Sequence, residues 1–254
     1  MLIHRIVAAC ATAGILLLLL CSLAGAQDRA SAAHGKKDTA VRAAFREKNI
    51  PYPPDEIFFR AFKSEPGKDF GIVELWARDG AMKQFKLVKT YDVCYASGGP
   101  GPKRAQGDGQ VPEGFYTISG WNPASSYHLS MRISYPNESD KILGARGNPG
   151  GDIFIHGRCV SIGCLAMTDD KIDELYIIAL DVKNHSRRPI NFHIFPLRMN
   201  DAGMKTLRAT AAGDPKLLSF WQNLKTGYDT FEESRVPPKV SVDKKGVYHF
   251  NSGK

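Results

Sequence analysis

Several things are missing from this chain, and each absence narrows what it can be. No internal repeat or low-complexity tract appears in its 254 residues, which excludes a solenoid or a fibrous array. There is no basic helix, Cys/His finger or aromatic RNA-binding platform, and the basic residues are dispersed among strand-like runs; nucleic acid is therefore not an expected partner. Acidic excess is absent too. The formal net charge is +8, a balance that suits encounters with anionic wall polymers or membrane surfaces. Cysteine is scarce, with five residues and no C-x-x-C pair, so a structural zinc site is not expected. No cofactor is anticipated, and the set His156, Cys159 and Cys164 remains a minor metal-binding alternative.

One long apolar run is present, Ile6 to Leu20, behind His4 and Arg5 and ahead of the small residues Ala24-Gly25-Ala26. Residues 1–26 read as a secretory signal. An uncleaved membrane anchor is the alternative, since the run nearly reaches a spanning length; once the signal is cleaved, no stable membrane insertion is expected. Cleavage removes Arg5 and no acidic residue, so the net charge goes from +8 to +7. It also removes Cys10 and Cys21, leaving Cys94, Cys159 and Cys164. An odd number in an oxidising compartment implies one pair and one free thiol. Pairing Cys94 with Cys159 leaves Cys164 reactive, whereas a Cys159–Cys164 bridge is the competing arrangement.

Residues 27–54 read as a polar linker, with one or two helical turns at Val41 to Lys48 and prolines at 51, 53 and 54. From Asp55 the pattern turns to short β-rich runs: Ile57 to Phe62, Ile72 to Arg78, Phe85 to Lys89, Tyr91 to Ala96, Phe115 to Ser119 and Tyr127 to Ile133. Asp79-Gly80 is the clearest hairpin turn. Thr168, followed by Asp169 and Asp170, opens a helix to about His185, and Ile190 to Phe195 returns as a strand in which His193 is structural. Residues 198–254 form a mainly helical extension. Its helices are Asp201 to about Ala211 and Pro215 to about Thr226, the second capped by Asp214 and stopped by Gly227, with a core-docking stripe of Leu217, Leu218, Trp221 and Leu224. The fold class expected is β-rich α+β.

The chemistry concentrates between Asp152 and Asp169, which reads DIFIHGRCVSIGCLAMTD. Ile153 to Ile155 suit a buried strand with His156 at its exit, and Gly157 and Gly163 allow a tight loop that returns Cys164 towards the imidazole. A thiol becomes nucleophilic on losing its proton to a neighbouring base, and a nearby helix N-terminus helps. The amides of Gly163 and Cys164 are candidates for an oxyanion site. The structural alternative is a buried apolar cysteine beside a hydrogen-bonded histidine.

These residues resemble the catalytic segment of the YkuD-type L,D-transpeptidase family, and in particular its YafK-like branch. The likeness extends through Tyr91-Asp92-Val93-Cys94, Gly101-Pro102-Lys103, Gly107-Asp108-Gly109-Gln110, Pro112-Glu113-Gly114-Phe115-Tyr116, Tyr127-His128-Leu129-Ser130 and His193-Ile194-Phe195-Pro196. It implies a mixed β-sheet or β-sandwich catalytic domain over residues 55–197 with a helix after the cysteine. It also implies a periplasmic, bacterial enzyme of cell-wall biogenesis and cell shape, or one held at the inner membrane by an uncleaved segment. Cys164 would attack a carbonyl next to a D-centre of diaminopimelate in a peptidoglycan stem, with His156 as base, and pass the acyl group to an amine or to water. The alternatives are a hydrolase releasing a lipoprotein or an amino acid from diaminopimelate, and a wall-binding module without turnover.

Two family positions differ: a histidine two places before the cysteine is Ile162 here, and an arginine two places after it is Ala166. Arg158 or Arg146 would then supply the missing charge. The resemblance further implies substrate contacts at Ser161, Gly157, Tyr127 and His128, the last placed on the cleft face by strand alternation. Lys103 is expected to meet a substrate carboxylate and Asp108 the amine of diaminopimelate, both from a glycine- and proline-rich cleft wall over residues 98–114.

Overall fold

The computed structural model describes residues 29–251; the expected signal segment lies outside them. Helix α1 occupies residues 29–47. It is followed by β1 (Glu56–Phe62), β2 (Ile72–Arg78), β3 (Lys86–Asp92), β4 (Tyr95–Ala96), β5 (Gly114–Asn122), β6 (Ser130–Ile133), α2 (Glu138–Leu143), β7 (Phe154–His156), β8 (Leu165–Ala166), α3 (Asp169–Ser186) and β9 (Asn191–Phe195). Two further helices, α4 (Asp201–Thr210) and α5 (Pro215–Ser234), and a hairpin of β10 (Lys239–Val242) and β11 (Tyr248–Asn251) complete the described residues. Among the described residues, no helix is long and apolar enough to cross a membrane.

Nine strands form one mixed sheet in the order β3-β2-β1-β9-β5-β6-β7-β8-β4. The β1–β9 and β7–β8 pairs are parallel and the other pairings antiparallel. The sequence EIFFRAF of β1 is apolar almost throughout because both sheet faces are covered. Phe59 and Ala61 join the core under α1 and α3, while Phe62 packs with Phe195, Trp221 and Tyr228 on the other side. Phe58 sits with Trp76 and Phe231. Alternation sorts the same run onto two faces.

Residues 27–54 were expected to be a linker, and the described part is instead largely α1. Ala33, Val41, Phe45 and Ile50 are buried in the main core. Those apolar residues are sparse among charges, but together they give one face that a covered sheet can bury. Asp79-Gly80 open the connection of the antiparallel β2–β3 hairpin, which is longer than two residues, since β2 ends at Arg78 and β3 begins at Lys86. The intervening turn closes through Met82 N donating to Asp79 O, and Gly80 N donates to the Asp55 carboxylate.

The C-terminal extension packs onto the sheet through Phe220, Trp221, Leu224 and Tyr228. Gly227 does not stop α5, which runs on to Ser234 and ends at Arg235 in the left-handed region, φ 54°. Gly227 serves close packing: a Cβ there would lie 2.5 Å from Phe115 Cζ and 2.5 Å from Phe250 Cε1. Gly227→Ala should therefore destabilise the protein by about 1–3 kcal/mol through overpacking, outweighing the roughly 1 kcal/mol that alanine gains in helix propensity. Urea unfolding of the two forms measures the sign; a more stable alanine variant contradicts the packing argument.

Candidate active site

The site is built where a short crossover joins two parallel strands. Register pairs Ile155 with Leu165 and His156 with Ala166, so residues 157–164 turn back within a few residues. Four ties hold that loop. The Ser161 hydroxyl accepts from Cys164 N and donates to Cys164 O, both at 2.8 Å. Gly163, at φ 93°, donates its amide to Ser97 Oγ at 2.7 Å. Cys159 is bridged to Cys94, whose amide bonds Ala166 O beside β4. Arg158 N donates to Asp169 Oδ1 at 2.8 Å.

Among the described residues, Cys164 is the free thiol. It shares a cavity of about 310 Å³ with His156, Phe154, Tyr127, Ser130 and Asp152. Its sulfur accepts from Phe154 N at 3.4 Å and lies 3.8 Å from Asp152 O. His156 is buried, and its Nδ1 is 2.6 Å from Gly157 O. A carbonyl only accepts, so Nδ1 carries the proton and Nε2 keeps its lone pair. The Tyr127 ring packs against the imidazole, with centroids 4.8 Å apart and planes tilted by 42°.

Burial pushes the Cys164 thiol above its ordinary range; the Phe154 amide and the charge of Lys103 draw it back, and the charge of Asp152 adds to the rise. Burial also lowers the His156 pKa, partly offset by the bond to Gly157 O. Both shifts favour a neutral thiol and a neutral imidazole in the shared cavity rather than a preformed ion pair. The helix does not change this, because Leu165 and Ala166 are drawn into β8 between β7 and β4, separating Cys164 from the start of α3.

Other expected residues fall differently. The amides of Gly163 and Cys164 are not free oxyanion donors, since the hydroxyls of Ser97 and Ser161 engage both. His128 is not on a strand: β6 begins at Ser130, and His128 has φ 70°. Its Nε2 meets Asp173 Oδ1 at 2.6 Å, turning the ring towards α3. Lys103 and Asp108 bond each other at 2.7 Å. That pairing leaves neither as a separate substrate contact, although Lys103 still acts on the thiol through its field.

Arg158 and Arg146 are exposed and do not line the cavity. Arg132 stands 3.2 Å from Asp152. Ile162 is 84 % exposed and Ala166 fully buried. Gly157 supports the site through its backbone: a Cβ would meet Asp169 Oδ1 at 2.6 Å and Tyr127 O at 2.9 Å. Cys159, being bridged, drops out of the metal-ligand alternative.

Ser97, Asp169 and Asp173 were not visible as site residues in the sequence. Ser97 is 66 positions from Gly163, and no spacing rule links them.

Residues 72–188, which run from β2 past α3, match the model of the YkuD L,D-transpeptidase catalytic domain. Over 206 residues the chain is 36% identical to the L,D-transpeptidase-family protein YafK of Escherichia coli K12, covering 80% of this chain and 76% of that one. The chain belongs to the L,D-transpeptidase catalytic domain family. Among solved structures it is similar to the helical cell shape determining protein Pgp2 from Campylobacter jejuni, at 18% identity and a TM-score of 0.44, covering 74% of each chain. It is also similar to Bd1075 from Bdellovibrio bacteriovorus, at 18% identity and a TM-score of 0.39, covering 71% of this chain and 61% of that one. The family match omits α1, β1, β9 and the C-terminal extension, although β1 and β9 lie inside the sheet. The curated relative matches well beyond that segment.

Proposed function

We propose that the chain is an exported cysteine acyltransferase or hydrolase acting on peptidoglycan stem peptides, with Cys164 as nucleophile and His156 as base. The observation that carries this reading is the pairing, in one cavity, of the free thiol with an imidazole whose Nδ1–H is spent on Gly157 O. The bare Nε2 accepts the thiol proton as sulfur attacks the stem carbonyl. The imidazolium returns that proton to the departing amine, leaving a thioester on Cys164. An incoming amine or water then gives its proton to Nε2, attacks the thioester, and the sulfur leaves to be reprotonated. Bridged cysteines support export, since such bonds persist outside the reducing cytosol.

The acyl donor is a stem whose neighbouring carboxylate is not gripped by an arginine from position 166. Ala166 is fully buried, so no side chain from there reaches the cavity, and this favours a stem joined to a protein over one with a free terminus. Incubating purified protein with defined muropeptides and with a protein-linked stem, and weighing the products, tests both points. Cross-linked or exchanged stems identify transfer, and released protein or amino acid identifies hydrolysis. No product from any of them, together with no carbapenem adduct on Cys164, leaves a wall-binding module.

A further inference from the structure

Helix α1 lies outside the matched catalytic segment, yet its first described turn reaches the site. The Arg29 guanidinium donates through Nη1 to Ser125 O at 2.8 Å and to His128 O at 3.0 Å. These carbonyls bracket Tyr127. Further along α1, Lys36 and Lys37 meet the carboxylate of Asp170 at 3.0 and 2.6 Å, and Lys36 stands 3.6 Å from Asp173. Asp173 is the carboxylate that takes His128 Nε2. The segment carrying Tyr127 is therefore gripped from α1 through its carbonyls and from α3 through the His128 ring.

Beyond these grips the segment is anchored by Leu129, which is buried in the core and whose carbonyl accepts from Gly157 N at 3.1 Å, and Tyr127 itself has few ties. Tyr127 is 46 % exposed, its amide is tied only to the nearby Ser125 hydroxyl at 3.1 Å, and β6 does not begin until Ser130. What Tyr127 touches matters more: its ring packs against the His156 imidazole, and its carbonyl lies against Gly157, the residue whose own carbonyl sets the His156 tautomer. Charge-assisted bonds to two carbonyls are stronger than neutral ones and fix direction as well as distance. A long-range clamp of this kind is what a loop needs to hold an aromatic ring in one place.

We propose that Arg29 is a positioning residue of the active site: by clamping the carbonyls of Ser125 and His128 it holds Tyr127 against His156 and so sets the orientation of the base. The catalytic consequence rests on the reading of His156 given above; the structural one does not.

The test uses the purified full chain, histidine-labelled for NMR, as wild type and as Arg29→Ala, Arg29→Lys, Tyr127→Ala and the Arg29→Ala/Tyr127→Ala double variant. An aromatic ring at this distance shifts the His156 ring protons, and Tyr127→Ala identifies that shift by removing it. Arg29→Ala should move the resonance towards its Tyr127→Ala position, and Arg29→Lys, which keeps a cationic donor, should restore most of it. On muropeptides Arg29→Ala should lower kcat on the order of tenfold to a hundredfold with KM little changed, and the double variant should be no worse than Tyr127→Ala. A His156 resonance unmoved in Arg29→Ala, or losses that multiply in the double variant, would overturn the proposal. Should the resonance move as described while no form turns over any stem, the positioning role stands and the enzymatic reading of the site fails.

Discussion

Cys164→Ala is expected to abolish both acylation by a carbapenem and turnover of muropeptides, and His156→Ala to cut turnover by about a hundredfold to ten-thousandfold. The asymmetry follows from their roles. Without the sulfur no covalent intermediate forms, whereas without the imidazole a small thiolate fraction still attacks. The pH dependence should follow the protonation of the base. Because burial lowers the His156 pKa, the neutral base persists below the ordinary histidine range; turnover is retained as pH falls through 6.5 and lost only as His156 takes a proton.

Because burial raises the thiol, alkylation of Cys164 by iodoacetamide in the absence of substrate should climb only at alkaline pH, later than for an ordinary cysteine. Rate against pH, followed by intact mass, measures this. A plateau of fast alkylation extending into mildly acidic solution would mean a thiolate–imidazolium pair, and would refute the neutral resting state.

Removing the bridge with Cys94→Ser/Cys159→Ser should cost about 4 kcal/mol by the chain-entropy relation for a loop of this length, the two cysteines being 65 residues apart. Against a total stability of roughly 5–15 kcal/mol that is a large fraction. The loss should reach the site as well. Cys159 anchors the loop whose other end presents Cys164, and Cys94 hydrogen-bonds the strand that follows it. The remaining ties are a serine hydroxyl at each of two amides and one carboxylate. Urea unfolding should show the lower midpoint, with faster Cys164 alkylation and slower muropeptide turnover. A stability change under about 1 kcal/mol would mean that the unfolded chain gains little freedom when the bridge is cut, and unchanged turnover would show that the loop does not need it.

Much of the fold was legible because covered sheets leave a strong trace. The runs at Ile57 to Phe62 and Ile72 to Arg78 fall on β1 and β2 almost residue for residue, and Thr168 caps α3 by accepting from Lys171 N. Errors arose where one residue type serves two purposes. Gly227 has the appearance of a helix stop but is an interior contact. His128 has the alternation of a strand residue but a left-handed backbone. Residues 29–47 have the polarity of a linker, yet form a helix that buries Val41 and Phe45.

By itself the sequence determined the β-rich class and the family, and it singled out Cys164 and His156 as the proposed pair, since these depend on local pattern and on a motif whose residues stand within nine positions of one another. The tertiary structure alone decided which groups surround them. Ser97 on the Gly163 amide, Tyr127 against the imidazole, Arg29 on its flanking carbonyls and Lys103 spent on Asp108 are encounters between distant segments. Hydrogen bonds and burial act through space, so the protonation and orientation of the proposed pair are properties of the packed chain rather than of its order.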